Sequence, residues 1–106
     1  MKLLPALKQK KRYVVFAIVS DAKFSVAEIK KEVSEALLLF LGQLGLSKAV
    51  PLFIKAENNK FIMKVNHKWV DELKTGLLLI KKIKNKPVMV KSIITSGTLK
   101  KASTHL

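Results

Sequence analysis

The sequence has no cysteine, one tryptophan, one tyrosine and two histidines, and it carries only seven acids against 21 lysines and arginines. Without cysteine there is no disulfide framework, no thiolate zinc site and no cysteine nucleophile, which suits a reducing compartment. Long hydrophobic runs are missing too. The longest are residues 13–19 and 36–41, far short of the ~20 residues a spanning helix needs. Lys8, Lys10, Lys11 and Arg12 interrupt the chain before a signal-peptide core of ~7–15 apolar residues can form. These absences lead to the expectation of a cytoplasmic protein with no membrane partner.

What is present is a domain-sized apolar core and a large positive charge. Hydrophobic residues make up 49% of the 106 positions and the formal net charge is +14, a composition that folds rather than stays disordered. The charge is unevenly placed. All seven acids (Asp21, Glu28, Glu32, Glu35, Glu57, Asp71 and Glu72) lie between positions 21 and 72, where eight lysines nearly balance them. The five cations of residues 1–20 and the eight of residues 73–106 have no acid among them. Lysine unmatched by glutamate is not the pattern of thermostable ion-pair networks. It repels itself, and a polyanion such as a nucleic acid relieves that repulsion.

Periodicity organises the chain into six elements. Residues 12–20, apolar on both alternating sets, read as a central strand covered on two faces. Ser25 and Glu28 form a capping box ahead of a helix whose buried stripe is Val26, Ile29, Val33, Ala36, Leu37 and Phe40, ended by Gly42 and Gly45. Residues 49–56 and 60–65 flank Asn58-Asn59, a pair that tolerates the positive φ of a tight hairpin. Asn66 caps a second helix striped by Val70, Leu73, Leu77, Ile80 and Ile83, with Lys81, Lys82 and Lys84 at its C-terminal end. Lys86-Pro87 breaks that helix, and a last strand covers residues 88–95.

The order β-α-β-β-α-β specifies an α+β, ferredoxin-like sandwich, a four-stranded antiparallel sheet with two helices on one face. A single domain is expected over 1–106. It divides into a basic segment 1–11, the core 12–95, and a Ser-Gly-Thr turn with a basic tail over 96–106.

No catalytic or metal constellation stands out. His67 precedes Asp71 by four residues, but no nucleophile or ligand cluster accompanies it. Metal carriers of this fold use Cys-x-x-Cys, and phosphatases of this fold use an arginine in a glycine-rich loop after the first strand. Here Arg12 precedes that strand and residues 20–24 contain no glycine. The third strand, Lys60-Phe-Ile-Met-Lys-Val65, carries one aromatic and no glycine, a weak match to the base-stacking strands of RNA-recognition motifs. Lysine contact with the backbone of a folded RNA fits better. Leu38, Leu39, Leu41, Leu78 and Leu79 exceed what the helix stripes need, and the strands are apolar on both faces. Either the terminal segments or a protein partner covers this surplus.

The run Lys10-Lys-Arg-Tyr-Val-Val-Phe16, the Gly42/Gly45 turn and Ile94-Thr-Ser-Gly-Thr-Leu-Lys100 together resemble the ribonuclease P protein component 2 family, over roughly residues 5–101. The resemblance implies a noncatalytic, ferredoxin-like subunit of an archaeal ribonucleoprotein that removes the 5′ leader of precursor tRNA. The RNA, with its magnesium, would do the chemistry, and this chain would bind no cofactor. Expected partners are ribonuclease P RNA, precursor tRNA indirectly, the TIM-barrel protein component 3 in a two-plus-two heterotetramer, and other ribonuclease P proteins. Matching positions assign RNA contact to Lys10, Lys11, Arg12, Lys100 and Lys101. Lys8, Lys81, Lys82, Lys84 and Lys86 are secondary candidates. Ser96, Gly97 and Thr98 form a turn that either holds a phosphate with its N–H groups or shapes the tail. A general RNA-binding module outside ribonuclease P is the alternative.

Overall fold

Five successive buried residues, Val14 to Ile18, make β1 (Lys11–Val19) the centre of the sheet. It can be covered on both faces because neither alternating set is polar. In the computed structural model, which describes residues 10–106, β1 is followed by α1 (Val26–Ala49), β2 (Leu52–Glu57) and β3 (Lys60–Asn66). A 3₁₀ turn, His67–Trp69, leads into α2 (Val70–Leu78). The chain closes with a small hairpin of β4 (Lys82–Ile83) and β5 (Lys86–Pro87), then β6 (Met89–Ser96) and a short helix α3 (Leu99–Ser103). The main sheet has the order β2-β3-β1-β6, with every neighbouring pair antiparallel. This is the expected ferredoxin-like arrangement.

One sheet face and the two long helices form the main core. Val14, Phe16 and Ile18 of β1, Phe61, Met63 and Val65 of β3, and Val90 of β6 meet Ile29, Val33 and Leu37 of α1 and Leu73 and Leu77 of α2. The α1 cap is the reciprocal one that Ser25-x-x-Glu28 encodes. The Ser25 N–H donates to Glu28 Oε1 at 2.9 Å and the Glu28 N–H donates to the Ser25 hydroxyl at 3.2 Å. Asn58 and Asn59 turn the β2–β3 hairpin at φ 52 and 61. The Asn59 amide also pins the loop after β1, accepting from the Phe24 N–H at 3.1 Å and donating to the Ala22 carbonyl at 2.8 Å.

Three boundaries differ from the residue pattern. Gly42 breaks α1 with φ 71 and ψ 175, a conformation open essentially to glycine, but the helix resumes and Gly45 is buried inside it. The end comes at Val50, a left-handed cap whose N–H donates to the Leu46 carbonyl at 2.8 Å. The resumed turns bury Ala49 completely, which a loop would not do. Second, α2 stops at Leu78 although Ile80 and Ile83 are buried as the stripe requires. Ile83 reaches the core from the β4–β5 hairpin, turned by Lys84 and Asn85 at φ 52 and 64. Apolar spacing reports burial, and an extended hairpin satisfied it as well as a helix would. Lys81, Lys82 and Lys84 therefore do not cap a helix.

Third, the segment after β6 is a helix. The Ser96 hydroxyl accepts from the Thr98 N–H at 3.2 Å and donates to the Thr98 carbonyl at 3.1 Å, and the Thr98 hydroxyl caps α3 by accepting from the Lys101 N–H at 3.3 Å. Ala102 is then fully buried on Val15 and Ile62, with Tyr13, Ile54, Ile94 and Leu106 around them. Part of the second sheet face is thus covered by the chain's own C-terminal segment. On the helix side Leu38, Leu39, Phe40, Leu78 and Leu79 stay exposed, Leu39 at 89%.

Candidate nucleic-acid interface

Antiparallel pairing decides where the basic residues go. Tyr13 lies opposite both Lys64 of β3 and Ser96 of β6, so the start of β1, the end of β3 and the end of β6 meet at one edge of the sheet. Lys10, Lys11 and Arg12 enter there, and Lys100 and Lys101 leave from there on α3. The two acid-free flanks of the sequence therefore converge. Contacts hold the junction in place. The His67 N–H and its ring Nδ1 both lie against the Lys10 carbonyl, at 3.0 and 3.1 Å, which asks for a proton on Nδ1. The Arg12 guanidinium donates to the Lys11 carbonyl at 3.1 Å and lies beside Gly97, 3.8 Å from where a Cβ would stand. Ser96 is buried and its hydroxyl is spent on the Thr98 backbone, so the Ser-Gly-Thr turn positions α3. Lys8 lies outside the described residues.

The other candidates sit at the opposite end. β6 starts where β1 finishes, Met89 facing Val19, and the Ser20 hydroxyl donates to the Pro87 carbonyl at 3.3 Å. The hairpin bearing Lys81, Lys82, Lys84 and Lys86 is thus a strand's length from Lys11, about 27 Å at the ~3.4 Å rise per residue of an antiparallel strand. Its surroundings are acidic. Lys81 and Lys82 border the same groove as Glu32 and Glu35, and Lys86 borders a hollow with Asp21. Lys84 Nζ is 2.9 Å from Glu28 Oε2, the one ion pair within 4 Å among the described residues.

Glu28 is accordingly held as a carboxylate. The Ser25 backbone N–H, then the Lys84 ammonium and the Ser25 hydroxyl, lower its pKa from 4.5 to about 2. A folded value below the unfolded one gives stability that is complete above pH 4.5 and is lost as pH falls toward about 2. The urea midpoint of unfolding is expected to fall across that window. Glu28→Gln should flatten this part of the profile, and an unaltered profile would refute the assignment. Because Lys84 is exposed and Glu28 only partly covered, the effect should shrink in high salt.

The open face of the sheet carries lysines that periodicity does not single out. Cross-strand partners share a face, so Lys64 beside Tyr13, Lys60 and Lys91 on either side of Ala17, and Lys55 opposite Ile62 all lie on the face away from α1 and α2. The Lys64 ammonium stands 5.8 Å over the Tyr13 ring. Only the strand register reveals this grouping. In sequence Lys55, Lys60 and Lys64 sit in the near-neutral centre, where six of the seven acids are sent elsewhere by the fold, and Lys91 sits in the acid-free flank. Among the described residues no three His, Cys, Asp or Glu side chains converge on a metal site. His67, whose ring faces the Lys10 carbonyl, belongs to the junction.

Residues 12–106 match the sequence profile of the Rpp14/Pop5 family of ribonuclease P proteins. The chain belongs to that family. Ribonuclease P protein component 2 of Thermococcus kodakarensis is 38% identical over 101 residues, spanning 93% of this chain and 84% of that protein. The protein of the same name from Methanocaldococcus jannaschii is 35% identical over 100 residues, spanning 94% and 75%. Among solved structures, a chain in the cryo-EM structure of yeast ribonuclease MRP superimposes with a TM-score of 0.69. At 16% identity over 93% of this chain and 79% of that one, it shows the shared fold. The Rpp14/Pop5 match begins at Arg12, inside the basic junction, and runs through α3. No helix among the described residues is long and apolar enough to cross a membrane.

Proposed function

We propose that this Rpp14/Pop5 chain is the subunit of ribonuclease P that supports the catalytic RNA while the 5′ leader is cut from precursor tRNA. The observation that carries the reading is the convergence of Lys10, Lys11, Arg12, Lys100 and Lys101 at one end of the sheet. Phosphates need charge there and no base-reading chemistry. Ser96, Gly97 and Thr98 serve by fixing α3. The reading leaves phosphodiester cleavage and magnesium to the RNA, gives this chain no catalytic residue or cofactor, and makes its contact with precursor tRNA indirect.

A protein partner fits the opposite side. The groove between α1 and α2, about 490 Å³, is lined by Ala36, Leu39, Phe40 and Leu79 with Glu32, Glu35, Lys81 and Lys82 at its border, and the exposed Leu39, Phe40 and Leu79 are large apolar groups a partner can cover. The TIM-barrel component 3, in a two-plus-two assembly with other ribonuclease P proteins in the cytoplasm, is the partner this reading assigns.

Reconstitution tests it. Cleavage of precursor tRNA by the cognate RNA and the other proteins should accelerate when this chain is added, and an unchanged rate would defeat the proposal. Similar affinity for unrelated RNAs would instead favour a general RNA-binding module. Replacing Lys10, Lys11 and Arg12 together by alanine should reduce the slope of log K against log[salt] by about 2–3. An unchanged slope would move the contact away from this edge.

A further inference from the structure

We infer that the RNA lies across the open face of the sheet, on Lys55, Lys60, Lys64 and Lys91 with Lys100 and Lys101 of α3 above them, and that the hairpin lysines take no part. The inference rests on the ribonucleoprotein reading and says which side of the fold carries it.

The argument is the distribution of acids over the folded surface. Glu28, Glu32 and Glu35 are on α1 and Asp71 and Glu72 on α2, all in the helix layer, and Asp21 is in the loop after β1. Only Glu57 shares the open face, at the outer strand opposite Lys60. The molecule is therefore two-sided: α1 and α2 together set five acids against four lysines, and the sheet face is positive. The hairpin belongs to the first side. Its lysines look charged in a sequence window with no acid, yet the fold sets them against acids from other elements: Glu28, Glu32 and Glu35 of α1, and Asp21. A phosphate approaching them meets carboxylates as well, and Lys84 would have to give up Glu28 to bind.

The open face also selects the mode of contact. Its apolar centre, Val15 and Ile62, is sealed by Ala102, and the Tyr13 ring is half-buried under the Lys64 ammonium. Among the described residues this face offers no fully exposed aromatic on which unstacked bases could sit. Around that centre, besides the exposed Val19, Leu52 and Met89, runs a rim of lysines: Lys60 and Lys91 flank Ala17, two strand spacings or about 10 Å apart. Such a rim grips the phosphate backbone of a folded, helical RNA segment.

The test compares two triple variants of the full chain binding the cognate ribonuclease P RNA over a range of salt. Lys55→Gln, Lys60→Gln and Lys91→Gln are all changes of surface-facing groups. They should reduce the slope of log K against log[salt] by about 2–3 and weaken binding at 0.15 M salt on the order of 10²-fold, at about fivefold per lost phosphate contact. Lys81→Gln, Lys82→Gln and Lys86→Gln should leave both quantities nearly unchanged. An equal or larger loss in the hairpin variant, or no loss in the open-face variant, overturns the inference. A second measurement needs no variant: in the wild-type complex, Lys60 and Lys91 should be shielded from amine acetylation while Lys81 and Lys82 react, and the reverse pattern overturns it equally. Wild-type protein that fails to bind the RNA at all defeats the ribonucleoprotein reading itself, a result distinct from binding through the wrong face.

Discussion

Phe61→Ala is expected to cost about 3–5 kcal/mol, the range for truncating a buried phenylalanine. Phe61 has no exposed surface and stands between two other rings, its centroid 5.2 Å from Phe16 and 5.7 Å from Phe53, both stacked. The three rings belong to β1, β3 and β2, so one side chain ties together three of the four strands of the main sheet. Removing it forfeits its transfer energy, opens a cavity between two rings and breaks both aromatic pairs, each worth about 0.5–1.5 kcal/mol beyond burial. Domains of this size are stable by about 5–15 kcal/mol in total. Urea unfolding followed by circular dichroism is the measurement, with the midpoint falling and the slope unchanged. Phe61→Leu, which refills much of the space, should recover a good part of the loss. A Phe61→Ala protein with a wild-type midpoint would mean that the stack contributes little.

That outcome would also bear on how RNA is bound. Phe61 occupies the strand where base-stacking domains of this fold expose an aromatic, and here register turns it to the helix side. The ring is instead packed between Phe16 and the partly buried Phe53.

Much of the fold was legible because it depends on local signals. The Ser25/Glu28 capping box, the Asn58-Asn59 turn and the doubly apolar β1 each specify geometry within a few residues, and all three are as the sequence implied. What was not legible depends on which segments meet. Whether Ile83 is reached by a helix or a hairpin is invisible to periodicity, since both bury it. Gly42 and Gly45 look alike in sequence, yet only Gly42 takes positive φ, while Gly45 is buried inside the resumed helix. The candidate site shows the same division. The two flanks announced the edge where Lys11 and Lys100 gather, but charge density along the chain also promoted Lys81 to Lys86, and only three-dimensional neighbours reveal the acids beside them. Lys60 and Lys64 were hidden for the converse reason: their nearest acid in sequence, Glu57, is one residue among seven, and the other six face elsewhere.

A buried charge at Ala102 is expected to release α3 and much of the RNA affinity with it. Ala102 has no exposed surface and rests on Val15 and Ile62, with Leu106 beside it. An aspartate there would place an unpaired carboxylate in an apolar contact, at several kcal/mol. A helix of five residues cannot hold itself together without that contact, so Ala102→Asp should undock α3 and leave the sheet folded. Uncovering Val15 and Ile62 bounds the stability lost at about 2–4 kcal/mol. Amide exchange should rise over residues 97–106 and at the β1 and β3 positions beneath, with the α1 and α2 amides still protected. Lys100 and Lys101 would no longer be fixed over the lysine rim, so affinity at 0.15 M salt should drop by about tenfold or more, at about fivefold per phosphate contact. Ser103→Asp adds the same charge one residue along without entering the Val15/Ile62 contact, and should keep α3 docked with a smaller loss. If the two variants weaken binding equally, the effect is charge alone and α3 is not a positioned element of the interface.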